Sequence, residues 1–141
     1  KRYITEKDQK VLIVDDDENT RDLLAKIINS EGYLSIDAKN GEDALERAKE
    51  KPDLIVLDLD MPRMDGFQFL DAYSEKVENS QHVPVIIFSG KDMTLTQRDF
   101  LNNFENVIGI FAKGDLPNLA SFIQRHRDDD GSEDEAETKA N

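Results

Sequence analysis

Cysteine is absent from this 141-residue chain, which excludes disulfides and thiolate metal sites. No apolar run approaches the ~20 residues that a membrane-spanning helix needs. Bases are scarce: 18 stand against 31 acids, for a formal net charge of -13, and that balance argues against general affinity for nucleic acid. A phosphate-cradling loop is missing as well. Gly90-Lys91 follows an apolar run but has no upstream glycine, so the nest of amides that holds a nucleotide cannot be assembled there. Neither an initiator Met nor a secretory pattern opens the chain at Lys1, so it is expected to be cytoplasmic and a piece of something longer.

What is present is a set of short apolar runs that each end at a polar residue. Lys10-Val11-Leu12-Ile13-Val14 stops at Asp15-Asp16-Asp17, and Leu54-Ile55-Val56-Leu57 stops at Asp58. Val83-Pro84-Val85-Ile86-Ile87-Phe88 stops at Ser89-Gly90, and the run 107–112 stops at Lys113. Runs of this length rich in Val and Ile read as buried strands. Leu34-Ser35-Ile36-Asp37 alternates apolar and polar instead, as a half-exposed edge strand does.

Helical patterns separate the runs. Thr20, Leu23, Leu24, Ile27 and Ile28 recur at the spacing of one buried helix face, and Gly32 closes that helix. The stretch 41–50 buries Ala44, Leu45 and Ala48 and is halted by Pro52. After Asp65-Gly66 a helix reaches about Val77 with Phe67, Leu70, Ser74 and Val77 on one side. Thr94 and Gln97 have the spacing of a capping box before Phe100, Leu101 and Phe104. The last helix opens at Asp115-Leu116-Pro117 and turns Leu116, Leu119, Ala120 and Ile123 inward. Strand and helix thus alternate five times, which implies an α/β domain with a parallel sheet covered on both faces.

In such a sheet the ligand crevice lies outside the carboxyl ends of the strands. The carboxylates of Asp15, Asp16 and Asp58, the Ser89 hydroxyl and the Lys113 ammonium would all arrive at that edge. Clustered carboxylates repel one another, and a hard divalent cation such as Mg²⁺ resolves the repulsion while keeping coordination positions for phosphate oxygens. Asp58 could then attack an activated phosphoryl group, with Lys113 and Ser89 answering charge on the oxygens. Asp17 and Asp65 are better read as helix caps than as ligands. His82 lies in a loop before Pro84 and His126 between Arg125 and Arg127 at a helix end, where a cation suits the dipole, so neither is expected to be a phosphodonor.

These residues resemble the receiver domain of two-component (phosphorelay) response regulators. The acidic pair Asp15-Asp16, the segment Leu57-Asp58-Leu59-Asp60-Met61-Pro62-Arg63-Met64-Asp65-Gly66, Ser89 and Lys113 occur in the family's order. The resemblance implies a flavodoxin-like, doubly wound sheet of order 2-1-3-4-5 and makes Asp58 the phosphoacceptor. It also implies Mg²⁺ held by Asp15, Asp16, Asp58 and the backbone carbonyl of Asp60, with Ser89 and Lys113 completing the site. The implied partner is a histidine kinase or phosphotransfer protein, with a homodimer also allowed and no nucleic acid or membrane contacted directly. Lys113-Gly114 and the stretch 89–94 are similar to receivers at the end of hybrid histidine kinases. Asp60 and Lys91 occupy positions that tune phosphate lifetime in that family.

Two positions depart from the pattern. Ile110 stands where the family usually has Tyr or Phe, and Gly114 follows Lys113 where Pro is usual. Phe111 could stand in for the aromatic or could belong to the core. A module that works without phosphorylation is therefore one alternative. Asp58-Leu59-Asp60 also resembles the nucleophile motif of haloacid-dehalogenase-type phosphatases, but there the acidic pair comes late in the chain and Pro62 does not fit. The expected division is a linker at 1–9, the receiver at 10–127 and an acidic disordered tail at 128–141, which holds seven acids and one base.

Overall fold

A computed structural model describes residues 8–90 and 92–140, with side chains to Asp129. Residues 1–7 of the expected linker, Lys91 and Asn141 lie outside the described residues. Five strands, β1 (Lys10–Val14), β2 (Leu34–Ala38), β3 (Leu54–Leu57), β4 (Val85–Ser89) and β5 (Val107–Ala112), form one sheet. All pairs are parallel and the order is β2-β1-β3-β4-β5, as the resemblance implies.

Strand side chains alternate between faces, and each face carries its own core. Val11, Ile13, Leu54, Val56, Ile86 and Phe88 pack with Leu24 and Ile28 of α1 (Glu18–Ser30) and Leu119 and Ile123 of α5 (Leu116–Ala140). Leu12, Val14, Ile55, Leu57, Val85 and Ile87 pack on the opposite side. There they meet Ala44 of α2 (Gly41–Arg47), Phe69, Leu70 and Tyr73 of α3 (Gly66–Lys76) and Leu101 of α4 (Leu95–Asn102). Each fully buried Leu or Ile contributes roughly 1.5–3 kcal/mol, so the two cores fix which strand ends share an edge.

The helix starts follow their capping residues. The Asp17 carboxylate accepts from the Thr20 amide, and Asn40 does the same for Asp43. Reciprocal boxes form at Asp65–Gln68 and Thr94–Gln97.

Three helix readings need correction. Leu23, placed on the buried stripe of α1 by periodicity, is 46% exposed, because α1 meets the sheet through Leu24 and Ile28 with Ala25 packed beside them. On α3 the buried arc is Phe69, Leu70 and Tyr73, while Ser74 faces solvent. Phe69 stacks on Tyr73 one turn further along α3, 5.3 Å between centroids, while half-buried Phe67 and Val77 pack on the flank of this arc and Phe67 meets Phe100 of α4 at 5.7 Å. Finally, α5 continues to Ala140 through residues expected to be disordered. The stretch has no proline to stop it, and one internal glycine, Gly131, costs a helix only about 1 kcal/mol.

Candidate functional site

The register brings the terminal residues together. Val14 pairs with Leu57, so Asp15 and Asp58, each one residue further on, emerge side by side. Ser89 pairs with Ala112, which sets Lys113 just beyond the neighbouring strand end. Gly66 closes the floor of the site. A Cβ there would lie 2.4 Å from the Asp58 carbonyl oxygen and 2.8 Å from the Leu59 Cα, so only glycine lets α3 approach this closely.

Asp15 and Asp58 are 1% and 3% exposed, whereas Asp16 is exposed. Carboxylate oxygens from the three lie within 4.8 Å of one another. Lys113 ion-pairs with both buried acids, its Nζ 2.9 Å from Asp15 Oδ2 and 3.4 Å from Asp58 Oδ2. The Asp17 amide donates to Asp15 Oδ1 at 2.9 Å, and the Asp60 amide donates to Asp58 Oδ1 at 3.4 Å.

Electrostatics follow from that crowding. Burial, and then the neighbouring Asp15 charge, raise the Asp58 pKa above the ordinary carboxylate value, with Lys113 and a hydrogen bond from Ser89 opposing. For Lys113 burial disfavours the ammonium, but its contacts with Asp15 and Asp58 outweigh that and raise its pKa. Asp17 lies outside this set. Its carboxylate takes the Thr20 hydroxyl at 2.6 Å and the Thr20 amide at 3.2 Å, and the hydroxyl bond is the main cause of its lowered pKa.

Asp15, Asp16, Asp58, Ser89 and Lys113 therefore meet at one edge. Asp60 is exposed and joins through its amide. Phe111 packs on Phe122 of α5, 5.3 Å between centroids, on the opposite face from Ile110, which packs with the α3 and α4 cluster. Phe111 thus belongs to the core. Arg21 is the site neighbour that no sequence signal marks. Its Nη1 donates to the Asp15 carbonyl at 2.8 Å and its Nε to Asp37 Oδ2 at 3.0 Å, a contact legible only once β2 is placed beside β1.

A set of three hard, acceptor-only carboxylates, two of them buried, fits a hard divalent cation, whose charge would offset both the burial and the Asp15 repulsion that raise the Asp58 pKa. The described residues contain no helix long and apolar enough to cross a membrane.

Comparison with known proteins agrees with this geometry. Sporulation initiation phosphotransferase F of Bacillus subtilis is 40% identical over 86 residues, 60% of this chain and 69% of that protein. A protein-glutamate methylesterase/protein-glutamine glutaminase of Syntrophomonas wolfei is 40% identical over 93 residues, 64% of this chain. This chain spans only a quarter of that enzyme's length. The chemotaxis protein CheY4 of Vibrio cholerae superposes with a TM-score of 0.73 at 25% identity, over 84% of this chain and 98% of that one. The response regulator receiver domain model matches residues 11–109, a span that holds Asp15, Asp16, Asp58 and Ser89 and ends before Lys113. With that match over more than half its length, the chain belongs to the response regulator receiver domains.

Proposed function

We propose that Asp58 accepts a phosphoryl group from the phosphohistidine of a histidine kinase or phosphotransfer protein, and that the resulting charge switches the domain between two packings. The observation that carries this reading is the convergence of Asp15, Asp16 and Asp58 within 4.8 Å beside the Lys113 ammonium. Mg²⁺ would be held by Asp15, Asp16, Asp58 and the Asp60 carbonyl. When bound it supplies charge neutralisation for the incoming phosphoryl oxygens.

In the transfer, an Asp58 carboxylate oxygen forms a bond to phosphorus while the bond from phosphorus to the imidazole nitrogen breaks. The electron pair leaves with the imidazole, and the product is an aspartyl phosphate. Lys113, already 3.4 Å from Asp58 Oδ2, is placed to answer a phosphoryl oxygen, and the Ser89 hydroxyl to donate to another. Phosphorylation adds close to two negative charges. Drawing Ser89 and Lys113 toward them biases β4, β5 and the α4 face.

On this reading the domain speeds its own phosphorylation and slow dephosphorylation. It occupies residues 10–127, works in the cytoplasm, and serves either as one part of a longer sensor such as a hybrid kinase or as a separate protein, with a second copy as a further partner. Incubation with acetyl phosphate and Mg²⁺ followed by intact-mass measurement tests the central step. One phosphoryl adduct on the parent and none on Asp58→Asn is the expected result; equal labelling of both overturns it.

A further inference from the structure

Arg21 lies in the second turn of α1 with its side chain only 15% exposed. That guanidinium spans two strands. It donates from Nη1 to the main-chain carbonyl of Asp15, at the end of β1, and from Nε to the carboxylate of Asp37 on β2. Besides its ion pair with Lys113, Asp15 is then held at three points: its amide donates to the Ala38 carbonyl at 3.1 Å, its carbonyl accepts from Arg21, and its Oδ1 accepts from the Asp17 amide. Past the last strand residue no ladder partner among the described residues fixes the Asp15 carbonyl, and Arg21 supplies the contact. Loss of that anchor frees the peptide plane on which the direction of the buried carboxylate depends.

Charge placement points the same way. A cation beside an acidic cluster would compete with a metal ion, but this one engages Asp15 through its carbonyl and ion-pairs with Asp37, 61% exposed, on the outer side. Its charge is balanced there. Lys113 meets the same residue at Oδ2, so the two cations divide the work: Lys113 faces the carboxylate and Arg21 holds the backbone.

We infer that Arg21 is a positioning residue for divalent-cation binding, fixing the Asp15 carboxylate toward Asp16 and Asp58 by clamping its carbonyl against Asp37. This inference rests on the proposed Mg²⁺-dependent role of the acidic cluster. Groups that orient metal ligands from behind commonly change affinity by about 10- to 100-fold when removed. A carbonyl clamp acts one bond further back, so the lower end of that range, about tenfold, is expected for Arg21→Gln.

The test is a titration with MgCl₂ alone, followed by amide NMR shifts of Asp15 to Asp17 and of Asp58, at a temperature where circular dichroism shows each variant folded. The expected result is tight binding by the parent, about tenfold weaker binding by Arg21→Gln, and a displaced Asp17 amide resonance in that variant before any metal is added. Asp37→Asn keeps the buried contact but frees the outer end of the guanidinium, and it should weaken binding by a smaller factor that added salt reduces. Should Arg21→Gln fail to fold, the Asp37→Asn titration decides alone, and unchanged affinity there overturns the inference. A parent that shows no Mg²⁺-dependent shift overturns this inference together with the proposed function. A parent that binds, with Arg21→Gln matching it within about twofold, overturns the positioning role alone.

Discussion

The Lys113 ammonium stands closer to Asp15, at 2.9 Å, than to Asp58, at 3.4 Å. Its first partner is thus the more deeply buried acid, and it is this lysine that makes two carboxylates at 1% and 3% exposure tolerable.

Removing it should destabilise the metal-free domain. Breaking a fully buried pair costs roughly 3–5 kcal/mol, and the 31% exposure of the Lys113 side chain lets water screen part of that, leaving about 1–2 kcal/mol for Lys113→Ala. A bound divalent cation would compensate the same carboxylates. Thermal melts with and without MgCl₂ should therefore show a larger cation-induced rise for the variant than for the parent. Equal rises would mean that the lysine does not stand in for the cation.

The raised Asp58 pKa sets a pH dependence of definite sign. A group whose folded-state pKa lies above its unfolded value contributes stability that is fully present below the unfolded pKa and is lost as pH rises through the folded one. Ionised Asp58, desolvated and beside Asp15, thus weakens the metal-free domain near neutrality. Asp58→Asn should melt higher than the parent at pH 7 without divalent ions, and the gap should close as pH falls toward the ordinary carboxylate range. A gap that widens in acid contradicts the assignment. Lys113, also raised, contributes at the alkaline end, where its share is lost as pH climbs through its folded value.

Much of this arrangement was legible in the sequence, because an apolar run that halts at an acid announces both a buried strand and its crevice-facing end. Asp15, Asp58, Ser89 and Lys113 needed only the assumption of a parallel sheet. Helix faces were less legible. Phe67, Leu70, Ser74 and Val77 form as regular a stripe as the observed Phe69, Leu70 and Tyr73. The two share Leu70, and Phe67 and Val77 still pack on the flank of the core; which arc lies deepest depends on how α3 docks on the sheet, which periodicity does not contain. Arg21 was invisible for a related reason. Its partners, Asp15 and Asp37, belong to strands whose adjacency is a property of the sheet rather than of any local pattern.

Two consecutive acids with opposite duties offer a sharper test. Asp17 caps α1 through Thr20, whereas exposed Asp16 offers an oxygen to the acidic cluster. Asp17→Ala should lower the urea midpoint while leaving Mg²⁺ affinity near that of the parent, provided its main-chain amide still donates to Asp15 Oδ1. Asp16→Ala should do the reverse. The lowered Asp17 pKa adds an acid-side signature: its stabilisation is present above the unfolded carboxylate pKa and is lost as pH falls through the folded one. The midpoint difference between parent and Asp17→Ala should therefore shrink in acid.

Gly66 is where helix packing and chemistry meet most tightly. As the first residue of α3 it also donates its amide to the Leu59 carbonyl at 3.0 Å. At an open position, alanine in place of glycine stabilises by roughly 0.4–1 kcal/mol through the unfolded chain. Here the added methyl would meet the Asp58 carbonyl at 2.4 Å and the Leu59 Cα at 2.8 Å, both main-chain atoms that cannot rotate aside. Overpacking of this kind costs about 1–3 kcal/mol, so the steric effect wins and Gly66→Ala should lower the urea midpoint by an amount equivalent to about 1–2 kcal/mol. Because one of the displaced atoms is the Asp58 carbonyl oxygen itself, the rate of labelling by acetyl phosphate should fall in the same variant. A folded Gly66→Ala that labels at the parental rate would show that α3 can retreat without moving Asp58.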